Sequence, residues 1–326
     1  MRRLRAESSD GLRKANFSWF FHIDFINPSQ SVAIVWVMKI RDEVKFDVIA
    51  ASHYGMCFGV KAAIAAAEKL ATKSPVTVLG ELAHNATVKR NLEHKGARHG
   101  DLNGHGAETR NVIITAHGAS DKERQRWADL GHRVTDTTCP LVHKAHAALR
   151  DLVAAGYAPV VIGKPGHVEV RGLMGDFPEA QAVLNLEDVR GLNIVQNKIG
   201  VISQTTQQID HVDAMLAAVR RRFSTAEVKF IDTVCRPTKE RQVALLELCS
   251  KVEVVIVVGG ANSNNTAQLA AKCRTLGCIA HHVQSPNDVS AEWFNGIRKV
   301  GITAGTSTPD EDVERVRKKL LEMSKA

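Results

Sequence analysis

Residues 136–146 read DTTCPLVHKAH. Small polar residues lead to Cys139, a proline follows at once, and an apolar and basic stretch of helical character comes next. Proline suits the first turn of a helix, because its missing N–H would have had no intrahelical partner there. Cys139 is therefore expected at or just before a helix N-terminus. That position lowers a thiol pKa and favours the thiolate. The chain contains no CxxC that would supply a neighbouring partner.

The partners come from a repeat. Cys57 opens CFGVKAAIAAAEKL, Cys139 opens CPLVHKAHAALRDLVAAG, and Cys235 opens CRPTKERQVALLELCSKV. Each cysteine heads an amphipathic stretch with a period near 3.6. A short β-rich run follows each helix: PVTVLG, APVVIG and VVIVVGG. These reach their first glycine at Gly80, Gly163 and Gly259, offset by 23, 24 and 24 residues from the preceding cysteine. A polar residue recurs in the loop beyond, at His84, His167 and Ser263, offset by 27, 28 and 28. A second strand closes each unit in NVIITAHGAS, KIGVISQTTQ and VGITAGTSTPD, and the turns after them hold His117, Thr205 and Ser307.

The spacing thus predicts an α/β protein of three repeated units, spanning 46–138, 139–234 and 235–326. Strands alternating with helices imply parallel sheets with helices on their faces. Ligands bind such sheets beyond the carboxyl ends of the strands, where every polar residue just named falls. Three copies, each with a cysteine and two polar loops, would meet most naturally around one shared centre.

Composition agrees with an ordinary α/β core: 326 residues, 44% hydrophobic and 24% charged. Six cysteines are too few for a disulfide-stapled secreted scaffold, and a reducing cytosol is the natural setting. Cys249, Cys273 and Cys278 lack the helix-opening position and read as core or surface thiols, Cys249 in mid-helix. The formal net charge of +8 suits anionic small molecules or an acidic protein partner. No basic stripe interleaved with aromatics points to nucleic acid. Residues 1–45 read as an extension foreign to the repeat, interrupted by His22, Asp24 and Pro28, so they form neither a signal h-region nor a membrane span. Met38 is expected to be the true start.

Three thiolates without a fourth suggest an iron–sulfur cluster with one incomplete site, since such clusters usually take four cysteines. A zinc site completed by His143 or His167 is the rival; a chance placement of three cysteines is the third reading. The loop GGANSNNTAQL puts glycines, Ser263, Asn264 and Asn265 before a helix, an arrangement that offers N–H groups, hydroxyls and amides to a phosphate. It lacks the Gly-Lys-Ser/Thr end of a nucleotide-hydrolysing loop. His84, His117 and His167 can donate to phosphate oxygens. Glu169, in GHVEVRG, is the carboxyl placed to deliver a proton.

With these residues in hand, the chain from about 46 to 318 resembles the 4-hydroxy-3-methylbut-2-enyl diphosphate reductase family. The stretches GMCFGV, ELAHN, TAHG, DTTCPLV, GHVEVRG, SQTT, VGGANSNN and TAGTSTPD stand in that family's order and spacing. The resemblance implies a trefoil of three α/β domains around one [4Fe–4S] cluster. Cys57, Cys139 and Cys235 match its ligands. His84, His117, His167, Ser263, Asn265 and Ser307 match diphosphate-binding residues, and Asn264 stands where a second serine is common. Glu169 matches the acid of proton delivery, and Thr205 a hydroxyl beside it. The implied reaction is a reductive dehydroxylation of an alkenyl diphosphate, the last step of non-mevalonate isoprenoid precursor synthesis. Ferredoxin or flavodoxin is the implied donor. A non-catalytic iron–sulfur sensor or RNA-binding paralogue on the same scaffold is the alternative. Phe58, where a small residue is common, is expected to narrow the surroundings of the cysteines. SHYG and Val168 are further departures.

Overall fold

The computed structural model describes residues 46–325 apart from His84 and Asn262. The expected extension, and with it the reading of Met38, lies outside the described residues.

Among the described residues, twelve strands form three four-stranded sheets, all parallel. The described residues open with β1 (Asp47–Ala50) and α1 (Phe58–Ala71) and then build the first sheet. That sheet holds β2 (Val76–Leu79), β3 (Ala97–Gly100), β4 (Asn111–Ile114) and β5 (Arg133–Asp136), with α2 (Ala86–His94) and α3 (Asp121–Asp129) between them. α4 (Pro140–Ala154) leads to the second sheet of β6 (Ala158–Ile162), β7 (Gln181–Val183), β8 (Lys198–Ser203) and β9 (Glu227–Phe230). Its crossovers are α5 (Val168–Met174), α6 (Leu186–Gly191) and α7 (Ile209–Arg222). α8 (Arg236–Cys249) opens the third, with β10 (Val254–Val258), α9 (Asn264–Thr275), β11 (Ile279–Val283), β12 (Lys299–Ala304) and α10 (Asp310–Met323).

The strand orders share one plan. They run β3-β2-β4-β5, β7-β6-β8-β9 and β11-β10-β12-β1. The two inner strands of each sheet are the runs the repeat predicts, and they are apolar because both faces are covered. β6 and β10 are buried at every residue. Each sheet separates two apolar clusters, one per face.

The fourth strand of each sheet leads to a cysteine. β5 runs to Cys139 and β9 to Cys235, each of which opens the helix of the next unit. The third sheet takes its fourth strand from the other end of the described chain: β1 pairs with β12, Asp47 against Lys299 through Ala50 against Ile302, and then runs to Cys57. The strand at the start of residues 46–138 therefore completes the sheet of residues 235–326.

Polar contacts tie the units together. Asp176 accepts the N–H groups of Asp121 and Lys122 at 2.8 and 3.0 Å, capping α3 from the second unit. Gln242 accepts from Ile209 N and donates to Gln207 O, both at 3.0 Å, linking the third unit to the second. The Arg241 guanidinium donates to Gly55 O at 2.8 Å, and Asn85 donates to Asp312 at 3.2 Å, linking the third unit to the segment around α1. Asn85, which carries an Asn-x-Thr match, spends its side-chain oxygen capping α2.

Gly59 of α1 lies against Cys139, the cap of α4. A Cβ there would stand 2.6 Å from Cys139 Sγ, closer than real carbon–sulfur contacts allow. Gly59→Ala should therefore push α1 off the start of α4 and destabilise the protein by about 1–3 kcal/mol, the usual cost of overpacking. Urea unfolding checks this; an unchanged midpoint would show that the two helix starts have slack.

Candidate active site

Cys57, Cys139 and Cys235 are the N-cap residues of α1, α4 and α8. Cys57 and Cys235 have extended backbone, and Cys139 has φ −58° and ψ 134°. Pro140 stands in the first turn of α4, as the sequence predicts, and Pro237 stands in the first turn of α8. The cysteines are free and partly exposed. Two are bonded through their backbone to the strand-end loops of the preceding sheet: Cys139 N donates to Ala116 O at 3.0 Å, and Cys235 N to Thr205 O at 2.9 Å. The segments bearing His117 and Thr205 are thereby fixed beside the cysteines.

The thiols feel each other. Burial raises the pKa of Cys139; the N–H groups of Leu141 and Val142 oppose it, and the charges of Cys57 and Glu169 add to it. Burial also raises Cys235, against hydrogen bonds from Thr238 and with Glu169 and Cys57 again adding. The helix N-terminus does lower these thiols, as the sequence implies, but the loss of water outweighs it. Cys57, Cys139, Cys235 and Glu169 thus share one electrostatic neighbourhood.

Glu169 lies in the first turn of α5 and is 1% exposed. Burial pushes its carboxyl up to about 7, although the N–H and hydroxyl of Thr205 both hydrogen-bond to it. The Thr205 N–H donates to Oε1 at 2.6 Å. His167 caps the same helix, its Nδ1 accepting the Glu169 N–H at 3.2 Å. An accepting Nδ1 carries no proton, so the neutral ring holds its proton on Nε2 and is a donor there. The His117 ring lies edge-on to His167 with centroids 5.6 Å apart, and its Nδ1 is 3.4 Å from Thr115 Oγ1.

The third unit contributes hydroxyls and amides. Ser263 caps α9, Asn265 follows in its first turn, and Ser307 lies in the loop after β12. Ser263 and Ser307 are buried. Asn265 Nδ2 is buried with no hydrogen-bond partner. Gly305 backs onto it: a Cβ on Gly305 would stand 3.4 Å from Asn265 Nδ2. The side chains of His84 and Asn264 lie outside the described residues. Sequence reasoning passed over Thr266, which is fully buried beside Ser263; a threonine three residues after a helix cap was its only signal.

Other expectations change. His143 is 48% exposed and faces Asp136 at 3.8 Å, away from the role of fourth zinc ligand. Among the described residues, no three His, Cys, Asp or Glu side chains converge as a single metal ion requires. Phe58 is 52% exposed, so much of its ring faces solvent rather than filling the space beside the cysteines. Cys249 ends α8 instead of sitting inside it. It packs with Cys273 and Cys278 against the core of the third sheet, and Cys278 Sγ donates to Cys249 O at 3.3 Å. No described helix is long and apolar enough to cross a membrane.

Comparison with known proteins bears on the whole arrangement. The family model described as LytB protein matches residues 48–321. A 4-hydroxy-3-methylbut-2-enyl diphosphate reductase of Aquifex aeolicus is 33% identical over 286 residues, covering 85% of this chain and 96% of that protein. The enzyme of the same name from Geobacter metallireducens is 35% identical over 277 residues, covering 83% and 97%. Among solved structures, the E-1-hydroxy-2-methyl-but-2-enyl-4-diphosphate reductase of Plasmodium falciparum superposes with a TM-score of 0.79 at 27% identity, over 86% of this chain and 91% of that one. A second, described as (E)-4-hydroxy-3-methyl-but-2-enyl diphosphate reductase, the terminal enzyme of the non-mevalonate pathway, gives 0.64 at 33% identity, over 85% and 99%. Sequence match, repeat layout and three-sheet architecture agree: the chain belongs to the LytB protein family.

Proposed function

We propose that this protein is a cytoplasmic reductase that converts 4-hydroxy-3-methylbut-2-enyl diphosphate to isopentenyl and dimethylallyl diphosphates at a [4Fe–4S] cluster held by Cys57, Cys139 and Cys235. The observation that carries the reading is Glu169. Its carboxyl is buried, pushed up to about 7 by that burial, and held by Thr205 within electrostatic reach of the cysteines. A sensor would need the thiols but has no use for such an acid.

The residues fit the cluster. Three thiols at three helix N-termini can each take a different iron, so they need not converge on one point as zinc ligands must. Gly59 leaves Cys139 Sγ without a side chain over it. When bound, the cluster supplies electrons one at a time and, with only three protein thiolates, leaves one iron open as a Lewis acid.

The chain does the rest. The reaction breaks the allylic C–O bond, consumes two electrons and two protons, and releases water. Glu169 holds a proton for the leaving hydroxyl, which departs poorly unless protonated. Thr205 fixes the orientation of that carboxyl and stands beside the substrate alcohol. His84, His117, His167, Ser263, Asn264, Asn265 and Ser307 hold the diphosphate, His167 through Nε2–H. The substrate is thereby anchored at its anionic end while its hydroxyl faces Glu169. Electrons come from an acidic ferredoxin or flavodoxin, which the +8 charge of the chain attracts at long range.

Three outcomes are expected. Protein purified without oxygen should carry about four irons and four sulfides per chain, and Cys139→Ser should lose them; stoichiometric zinc without sulfide would overturn the cluster. Glu169→Gln should lower kcat by about 10²–10⁴, the range for loss of a general acid, with iron and sulfide intact. The third is a pH profile. Glu169 can donate only while protonated, so kcat should fall as pH rises through about 7, and the residual activity of the Gln variant should lack that inflection. The same inflection in both proteins would assign it to another group.

A further inference from the structure

The oxygen of Ser263 is doubly engaged. It accepts the Thr266 backbone N–H at 3.3 Å and the Thr266 Oγ1–H at 2.9 Å. A hydroxyl oxygen has two lone pairs and one proton to give. With both lone pairs occupied by Thr266, the Ser263 proton has to point away from α9. Ser263 is 2% exposed and Thr266 is fully buried, so bulk water does not compete for either group.

Thr266 itself is held in place by two glycines. Gly259 follows β10 and Gly305 follows β12, and a Cβ on either would overlap Thr266 Oγ1. Both strand-end loops therefore press their bare backbone against this one hydroxyl. Thr308, further along the second loop, closes the arrangement by donating to Val258 O at 3.1 Å. The neighbouring Asn265 Nδ2, buried and without a partner, is a second donor at the same helix start.

We propose that Thr266 is a positioning residue that makes the Ser263 hydroxyl an obligate donor toward an oxyanion of the substrate diphosphate. The inference rests on the reading that Ser263 binds that group. An unconstrained serine rotates to donate or accept, whichever its neighbour requires. Against a phosphate only donation is attractive; a lone pair turned to the anion repels it. Thr266 removes the wrong choice before the ligand arrives, so no rotamer has to be selected on binding. Thr266 does this without touching the substrate.

The test uses the holoenzyme and three single variants. Thr266→Val keeps the branched shape and drops the donor, Thr266→Ser keeps the donor, and Ser263→Ala removes the directed hydroxyl. The readouts are KM and kcat for the alkenyl diphosphate, and the Kd of inorganic pyrophosphate by calorimetry. Thr266→Val should raise KM and the pyrophosphate Kd by about tenfold, the order of one weakened charge-assisted hydrogen bond, with kcat within about twofold. Thr266→Ser should restore both constants. In a Ser263→Ala background, Thr266→Val should add nothing, because the group it orients is gone. If Ser263→Ala weakens pyrophosphate binding and Thr266→Val does not, Thr266 has no positioning role and the diphosphate reading stands. If the two losses multiply, Thr266 acts through packing and the proposal is overturned. If Ser263→Ala changes neither constant, the diphosphate reading fails at this loop and the proposal goes with it. Should Thr266→Val not retain its cluster, Thr266→Ala carries the same expectations.

Discussion

The hydrogen bonds between β1 and β12 govern where the cysteines stand. In the other two sheets the fourth strand comes from the same stretch of chain and runs directly to the cysteine of the next helix. The third sheet has no strand of its own to fill that place, and β1 supplies it in register from Asp47 to Ala50. This closes three open sheets into a cycle, since each now ends in a strand that leads to one cysteine. A parallel sheet also presents the carboxyl ends of all its strands on one side. Closing the cycle therefore determines both the helix starts that carry sulfur and the loops that carry histidine, serine and asparagine.

Burial then sets the electrostatics. Cys139, Cys235 and Glu169 are each raised chiefly by loss of water, and the charges of Cys57 and Glu169 add to the two thiols. The helix amides and Thr205 pull the other way without winning. Such a site resists holding several anions at once when nothing cationic is bound. A metal cluster would answer the thiols, because ligation replaces the proton and stabilises the thiolate. It would not answer Glu169, which reduces the local negative charge by holding a proton. The same desolvation that makes the cysteines reluctant thiolates makes the carboxyl an acid near neutrality.

The inner strands and the cysteine helices were legible because their physics is local. A strand covered on both faces reads as a continuous apolar run, and a helix opening on Cys-Pro carries its own start signal. The outer strands ARHG, RVTD, QAV and EVKF are three or four residues long and half-exposed, so their composition does not separate them from loops. The exchange of β1 could not be read locally either, since nothing in DVIA says which edge it will join. Among the site residues, His84, His167 and Ser263 were visible through matched offsets from a cysteine, His117 through the turn after a second strand, and Glu169 as a carboxyl two residues beyond His167. Thr266 was not, because its importance comes from two glycines that approach it from strand ends about 45 residues apart in sequence. The thiol pKa direction was missed for a related reason: a helix start is visible in sequence, but the depth at which it is buried is not.

The start of α9 carries a cost in the fold. Asn265 Nδ2 is buried without a partner, and Ser263 has its lone pairs filled and its proton turned outward. An unmet buried donor costs about 1–3 kcal/mol, and folding alone would remove it by substitution with an apolar side chain. The two loops instead use glycine at Gly259 and Gly305, which gives up further chain entropy, to bring these donors together at one helix start. A bound diphosphate would satisfy them all, and the helix amides would add to its stabilisation. On the proposed reading, the third unit leaves these donors unmet by the protein so that a diphosphate can meet them.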